Sequence, residues 1–84
     1  MTAPDDDLLA MLAQDYQNIR TLADGTIVGT IELLFTRGVV IDLDRHGWGR
    51  RYCYQDRGLA TKACATLTSG DETPLEGFIA QRAR

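Results

Sequence analysis

The dipeptide Asp24-Gly25 stands between Gln17 to Ala23 and a returning strand, Thr26 to Phe35. An Asp-Gly pair supplies positive φ at both central positions of a type I′ turn, whose twist matches that of paired strands, so this segment is expected to form a β-hairpin. On the returning strand Ile27, Gly29, Ile31, Leu33 and Phe35 share one parity and are expected to face the core, with Val28, Thr30, Glu32 and Leu34 on the other side. Thr36-Arg37-Gly38 turns the chain into a third strand, Val39 to Leu43, where Val39, Ile41 and Leu43 alternate with Val40, Asp42 and Asp44. The glycine-punctuated segment Arg45 to Gly49 leads into a fourth strand from Arg50 to Gln55, with Arg50, Tyr52 and Tyr54 on one face and Arg51, Cys53 and Gln55 on the other.

Helices are expected on either side of these strands. Pro4 and the acids Asp5, Asp6 and Asp7 precede Leu8, Leu9, Met11 and Leu12, which places negative charge at the positive end of a short helix near residues 5–15. Asp56 is an N-cap residue, and Leu59, Ala60, Ala63, Cys64 and Leu67 fall at helical spacing, so a second helix is expected over 57–68 before Ser69-Gly70 ends it. The remaining segment reads as a loop and a short terminal element, with Phe78 and Ile79 pinning it to the core. The order α-β-β-β-β-α predicts an α+β two-layer domain: a four-stranded antiparallel sheet with one face under a helix and the other partly in solvent. Eighty-four residues suffice for one such domain, 1–84, and leave little material for a deep catalytic cleft.

Charge is the feature that bears most directly on function. Residues 1–44 hold eight acids, Asp5, Asp6, Asp7, Asp15, Asp24, Glu32, Asp42 and Asp44, against Arg20 and Arg37, a balance of −6. Residues 45–84 hold seven bases against four acids, a balance of +3. Carboxylates spread over a helix and a hairpin can imitate phosphate spacing and occupy a basic nucleic-acid channel of a protein partner, with charge steering the encounter. The alternative site is Arg50, Arg51, Tyr52, Tyr54 and Arg57, because arginine interleaved with tyrosine on a strand is what a single-stranded nucleic-acid platform uses. Against that stands the structural explanation, in which the tyrosines pack under the second helix while the arginines pair with Asp42, Asp44 and Asp56.

Enzymatic readings are thin. His46 with Cys53 or Cys64 would be needed as base and nucleophile, or Asp42 with Asp44 as a carboxylate pair, and neither set carries a recognisable motif. One histidine and two cysteines do not make a zinc site, and no cofactor motif is present, since Gly47 and Gly49 are followed by no phosphate-loop sequence. The two thiols are expected to be free and buried, although their placement on a strand and a helix leaves a disulfide conceivable. No apolar stretch approaches the ~20 residues that cross a bilayer, and the acidic start is unlike a secretory or transit peptide, so no membrane association and a cytoplasmic location are expected.

The run Gly47-Trp48-Gly49-Arg50-Arg51-Tyr52-Cys53-Tyr54-Gln55-Asp56-Arg57, with Ala60, Ala63, Ala65 and Leu67, then Gly70-Asp71, Pro74 and Gly77-Phe78-Ile79, resembles small phage and prophage proteins with a G-W-x-R-R-Y-C-Y strand, an alanine-rich helix and a closing glycine-aromatic segment. It departs from that pattern at Gln55, where an acid is usual, across Thr66 to Ser69, and at Phe78, where tryptophan is usual. By size and charge the chain is also similar to anti-CRISPR proteins of type I systems. The phage-protein resemblance implies a mobile-element origin, and together with the acidic half and the similarity in format to anti-CRISPR proteins it leads to the expectation of a non-enzymatic inhibitor, monomeric or weakly dimeric, whose partner is a CRISPR effector complex kept from DNA. The competing expectation is a single-stranded nucleic-acid-binding accessory protein.

Overall fold

The computed structural model describes residues 6–84, so Pro4 and Asp5 of the expected first helix lie outside the described residues. Its elements are α1 (Asp6–Leu12), β1 (Gln17–Thr21), β2 (Ile27–Glu32), β3 (Arg37–Ile41), β4 (Arg50–Tyr54), α2 (Arg57–Ala65) and β5 (Phe78–Ala83). The strands form one open antiparallel sheet in sequence order, β1-β2-β3-β4-β5. The class is the expected small α+β domain, but with a fifth strand in place of the terminal loop. Gly77, at φ 118°, redirects the chain, and the Phe78 ring then packs edge-on against Tyr52 and Tyr54 at centroid distances of 5.0 and 6.0 Å. Pairing runs from Arg50↔Ala83 to Cys53↔Ala80 and then shifts to Tyr54↔Phe78, so Ile79 occupies the bulge and is 62% exposed. Phe78 therefore holds the tail to the core, and Ile79 does not.

The first hairpin forms where expected but with another turn. Only Gly25, at φ 89°, is left-handed; its N–H donates to Leu22 O at 2.9 Å, while Leu22 N–H donates to Thr26 O at 2.8 Å. Ala23-Asp24-Gly25 is thus a three-residue loop closed by a glycine rather than a two-residue type I′ turn.

Both faces of the sheet are covered, which reverses the expected parity of β2. Val28 and Thr30 are fully buried; Val28 belongs to the larger core, under α2, with Val39, Ile41, Tyr52, Tyr54, Ala60, Ala63 and Cys64. Ile27 and Ile31 instead pack on the opposite face with Leu12, Val40 and Leu43 under α1, while Leu33 and Phe35 fall beyond the end of the strand. Leu43 joins that second face because Asp42, at φ 64°, breaks the alternation after Ile41. Asn18, at φ 55°, does the same in β1, so that Arg20 reaches across the α2 side. There its guanidinium donates to Cys64 O and Leu67 O, each at 2.8 Å, closing the C-terminal end of α2 while the Asp56 carboxylate accepts from Leu59 N–H at the other end. No described helix is long and apolar enough to cross a membrane.

Candidate functional site

In an antiparallel meander alternate turns lie at the same end of the sheet. The β1–β2 loop and the β3–β4 connection therefore sit side by side, and they bring Asp24, Asp42 and Asp44 around one shallow depression of about 340 Å³, floored by Ile27 and Leu43. The three carboxylates do not converge as a metal-ligand set among the described residues. Asp15 does not line the depression: it precedes β1, whose first residue Gln17 pairs with Thr30 toward the far end of β2, although burial and then the charges of Asp15 and Asp44 raise the Tyr16 hydroxyl above its ordinary pKa. Asp7 lines a separate depression with Leu8, Met11 and Arg45, the Asp6 side chain is not described, and Asp5 lies outside the described residues. Glu32 is at the opposite end, bound to Arg37 Nε at 2.6 Å and Arg57 Nε at 2.9 Å.

These acids differ in how much of their charge is spent internally. Asp24 accepts from Thr26 N–H at 3.0 Å and from Gly70 N–H at 2.8 Å, so it fastens the loop after α2 to the first hairpin. Asp44 accepts from His46 N–H at 2.7 Å and stands 3.7 Å from Arg84. The carboxylates of Asp42 and Asp15 have no hydrogen bond or ion pair among the described residues, which leaves Asp42 the most available of the three around the depression to a partner.

A pH dependence follows from the engaged carboxylates. The Gly70 and Thr26 amides hold Asp24 below the usual carboxylate range, the Thr68 and Ser69 amides with the Thr68 hydroxyl do so for Glu72, and Arg37 with Arg57 for Glu32. A depressed folded-state pKa contributes stability that is complete above the unfolded value, about 4, and is lost as pH falls through the folded value. Thermal melts between about pH 2 and 6 are expected to show the melting temperature falling below about pH 4, and Asp24→Asn is expected to flatten that fall. A melting temperature independent of pH over this range would contradict the assignment.

The arginine-tyrosine set does not form one platform. Tyr54 is fully buried, its hydroxyl donating to Leu75 O and its pKa pushed up to about 12 by burial; Tyr52 is 6% exposed and accepts from Arg50 Nη1 at 2.9 Å. Neither ring offers a face on which a base could stack. Arg50 also donates to Gly70 O and Glu72 O, Arg57 is held by Glu32, and Arg51 lies on the other face with its guanidinium 5.0 Å over Trp48. The arginines therefore serve carbonyls, Glu32 and an indole rather than Asp42, Asp44 or Asp56. Cys53 and Cys64 are free and buried, and no hydrogen bond links either to His46 among the described residues.

One feature escapes the sequence reading. Leu34 and Phe35 form the tip of the β2–β3 turn and are 82% and 79% exposed. The run Leu33-Leu34-Phe35, apolar on both parities, was its only signal. Comparison of the chain with protein-family models, curated proteins and solved structures finds no match.

Proposed function

We propose that this protein is a non-enzymatic inhibitor that lays its acidic end against a basic nucleic-acid-binding surface of a protein partner, the carboxylates standing in for phosphates. The observation that carries the reading is the gathering of Asp24, Asp42 and Asp44 from separate connections around one depression. Carboxylates fixed at such spacing attract a basic surface over about a Debye length and act mainly on the rate and specificity of encounter. The likeness of the Gly47 to Ile79 pattern to phage proteins, together with the size and charge of the chain, favours a type I CRISPR effector complex as the partner and target-DNA recruitment as the blocked step.

The test is a mobility-shift competition between this protein and target duplex for a purified type I effector complex. The double variant Asp42→Asn, Asp44→Asn removes two charges but keeps oxygen acceptors, including the one for His46 N–H. Asparagine also tolerates the left-handed backbone at position 42. Inhibition is expected to weaken by about tenfold or more, mostly through the association rate, and the wild-type effect to fade as salt rises. Inhibition retained in the double variant would remove the charge-driven interface.

A further inference from the structure

The end of the sheet opposite the carboxylates has a different character. Glu32, Arg37, Tyr54 and Phe78 lie in line across β2, β3, β4 and β5, which places the Leu34-Phe35 tip and the bulged Ile79 at one end, and the Tyr54 hydroxyl bonds Leu75 O nearby. Four of the five exposed large hydrophobic residues among the described residues, Leu34, Phe35, Leu75 and Ile79, thus share that end. Turn geometry does not require the two at the tip: Leu33 N–H bonds Thr36 O at 2.9 Å, and neither Leu34 nor Phe35 has positive φ. Polar side chains would serve the turn equally well, and these two gain nothing from the fold.

We propose that this apolar end is the interface of a weak homodimer, two copies meeting end to end about a two-fold axis with Leu34 and Phe35 of each packed against those of the other. Two quantities point to a second copy. First, the exposed fractions of the four residues amount to roughly 500 Å² of side chain per copy, taking ~200 Å² for a large side chain. The pair would then bury about 1,000 Å², at the lower limit for a specific interface and well short of an obligate one. Second, the surrounding charges cancel, with Glu32 and Asp56 against Arg37 and Arg57, so this end does not repel its own copy. The end-to-end arrangement also keeps the two acidic ends as far apart as the fold allows. The inference does not depend on what the acidic end binds.

Sedimentation equilibrium of the full chain from about 1 μM to 1 mM tests it. The expected result is reversible dimerisation with a Kd of tens to hundreds of micromolar, roughly, weakened at least about 30-fold in the double variant Leu34→Ser, Phe35→Ser. The urea midpoint of that variant is expected to be unchanged or raised, which separates lost association from lost folding. A monomer throughout the range would overturn the proposal. So would a dimer indifferent to the double variant but abolished by Gln81→Pro: Arg84 N–H bonds inward to Gly49 O, so by alternation the Gln81 N–H points away from β4, and that result would mean pairing of β5 edges.

Discussion

Replacing Tyr54 by alanine is expected to remove at least about a quarter of the protein's total stability. Tyr54 is the largest of the fully buried side chains, set between α2 and the sheet, with Phe78 edge-on against it and its hydroxyl donating to Leu75 O. An aromatic-to-alanine change in a core costs about 3–5 kcal/mol, from lost transfer energy and from the cavity left behind. A chain of 84 residues has only about 4–12 kcal/mol of total stability. The hydroxyl accounts for a small part: Tyr54→Phe leaves Leu75 O without this donor and is expected to cost about 1–2 kcal/mol. Urea denaturation with both variants checks the ratio. If Tyr54→Ala costs no more than Tyr54→Phe, the ring is not the piece that joins the tail, the helix and the sheet.

That role of Tyr54 was only half legible in the sequence. Period-two alternation located β2, β3 and β4, and Asp56 with its apolar spacing located α2, because those signals are local. What failed depended on a partner distant in sequence. β5 is a strand because β4 presents a free edge and Tyr52 and Tyr54 offer Phe78 an aromatic wall; its own sequence, Phe-Ile-Ala-Gln-Arg-Ala, barely alternates. The parity of β2 could not be assigned while only one face was taken as buried. With α1 on the second face, Ile27 and Val28 are both needed inside. The left-handed residues Asn18 and Asp42 then shift the pattern by one residue in β1 and after β3, which no periodicity count anticipates.

The candidate site was legible as composition and not as placement. Eight acids in the first half of the chain announced a negative surface, yet antiparallel topology sorts them by turn: Asp24, Asp42 and Asp44 go to one end and Glu32 to the other. The same sorting places Leu34 and Phe35 at the Glu32 end, about 17 Å from the acidic one for strands of five residues. A binding surface made of carboxylates gains speed and selectivity but little adhesion, whereas an exposed aromatic anchor gains adhesion. If two copies join through the apolar end, each dimer carries an acidic end at either pole. A target with two basic sites within reach would then be held far more tightly than a single acidic end allows.

Gly70→Ala tests how the loop after α2 is joined to the sheet. Gly70 is not the stop for α2, which ends at Ala65, five residues earlier; it is the place where this loop meets the first hairpin. Its N–H donates to Asp24 Oδ2 at 2.8 Å and its carbonyl accepts from Arg50. A Cβ built there would stand 2.3 Å from Thr26 Oγ1, 2.9 Å from Thr26 Cγ2 and 3.0 Å from Thr26 Cβ. Every staggered rotamer of Thr26 leaves at least one of its two γ atoms facing the added Cβ and does not shift its own Cβ, so the loop must move away, stretching both hydrogen bonds at once. Overpacking of this kind costs about 1–3 kcal/mol, and each of the two weakened hydrogen bonds to a charged group adds about 1.5 kcal/mol, which makes a loss of roughly 4–6 kcal/mol the expected result. Thr26→Ala removes two of the three contacting atoms, so in the double variant the loss from Gly70→Ala is expected to shrink by at least about 1 kcal/mol, a coupling that urea denaturation of the four proteins measures. Strict additivity would mean that the alanine is accommodated elsewhere, and that Asp24 and Arg50 hold the loop without help from close approach at Gly70.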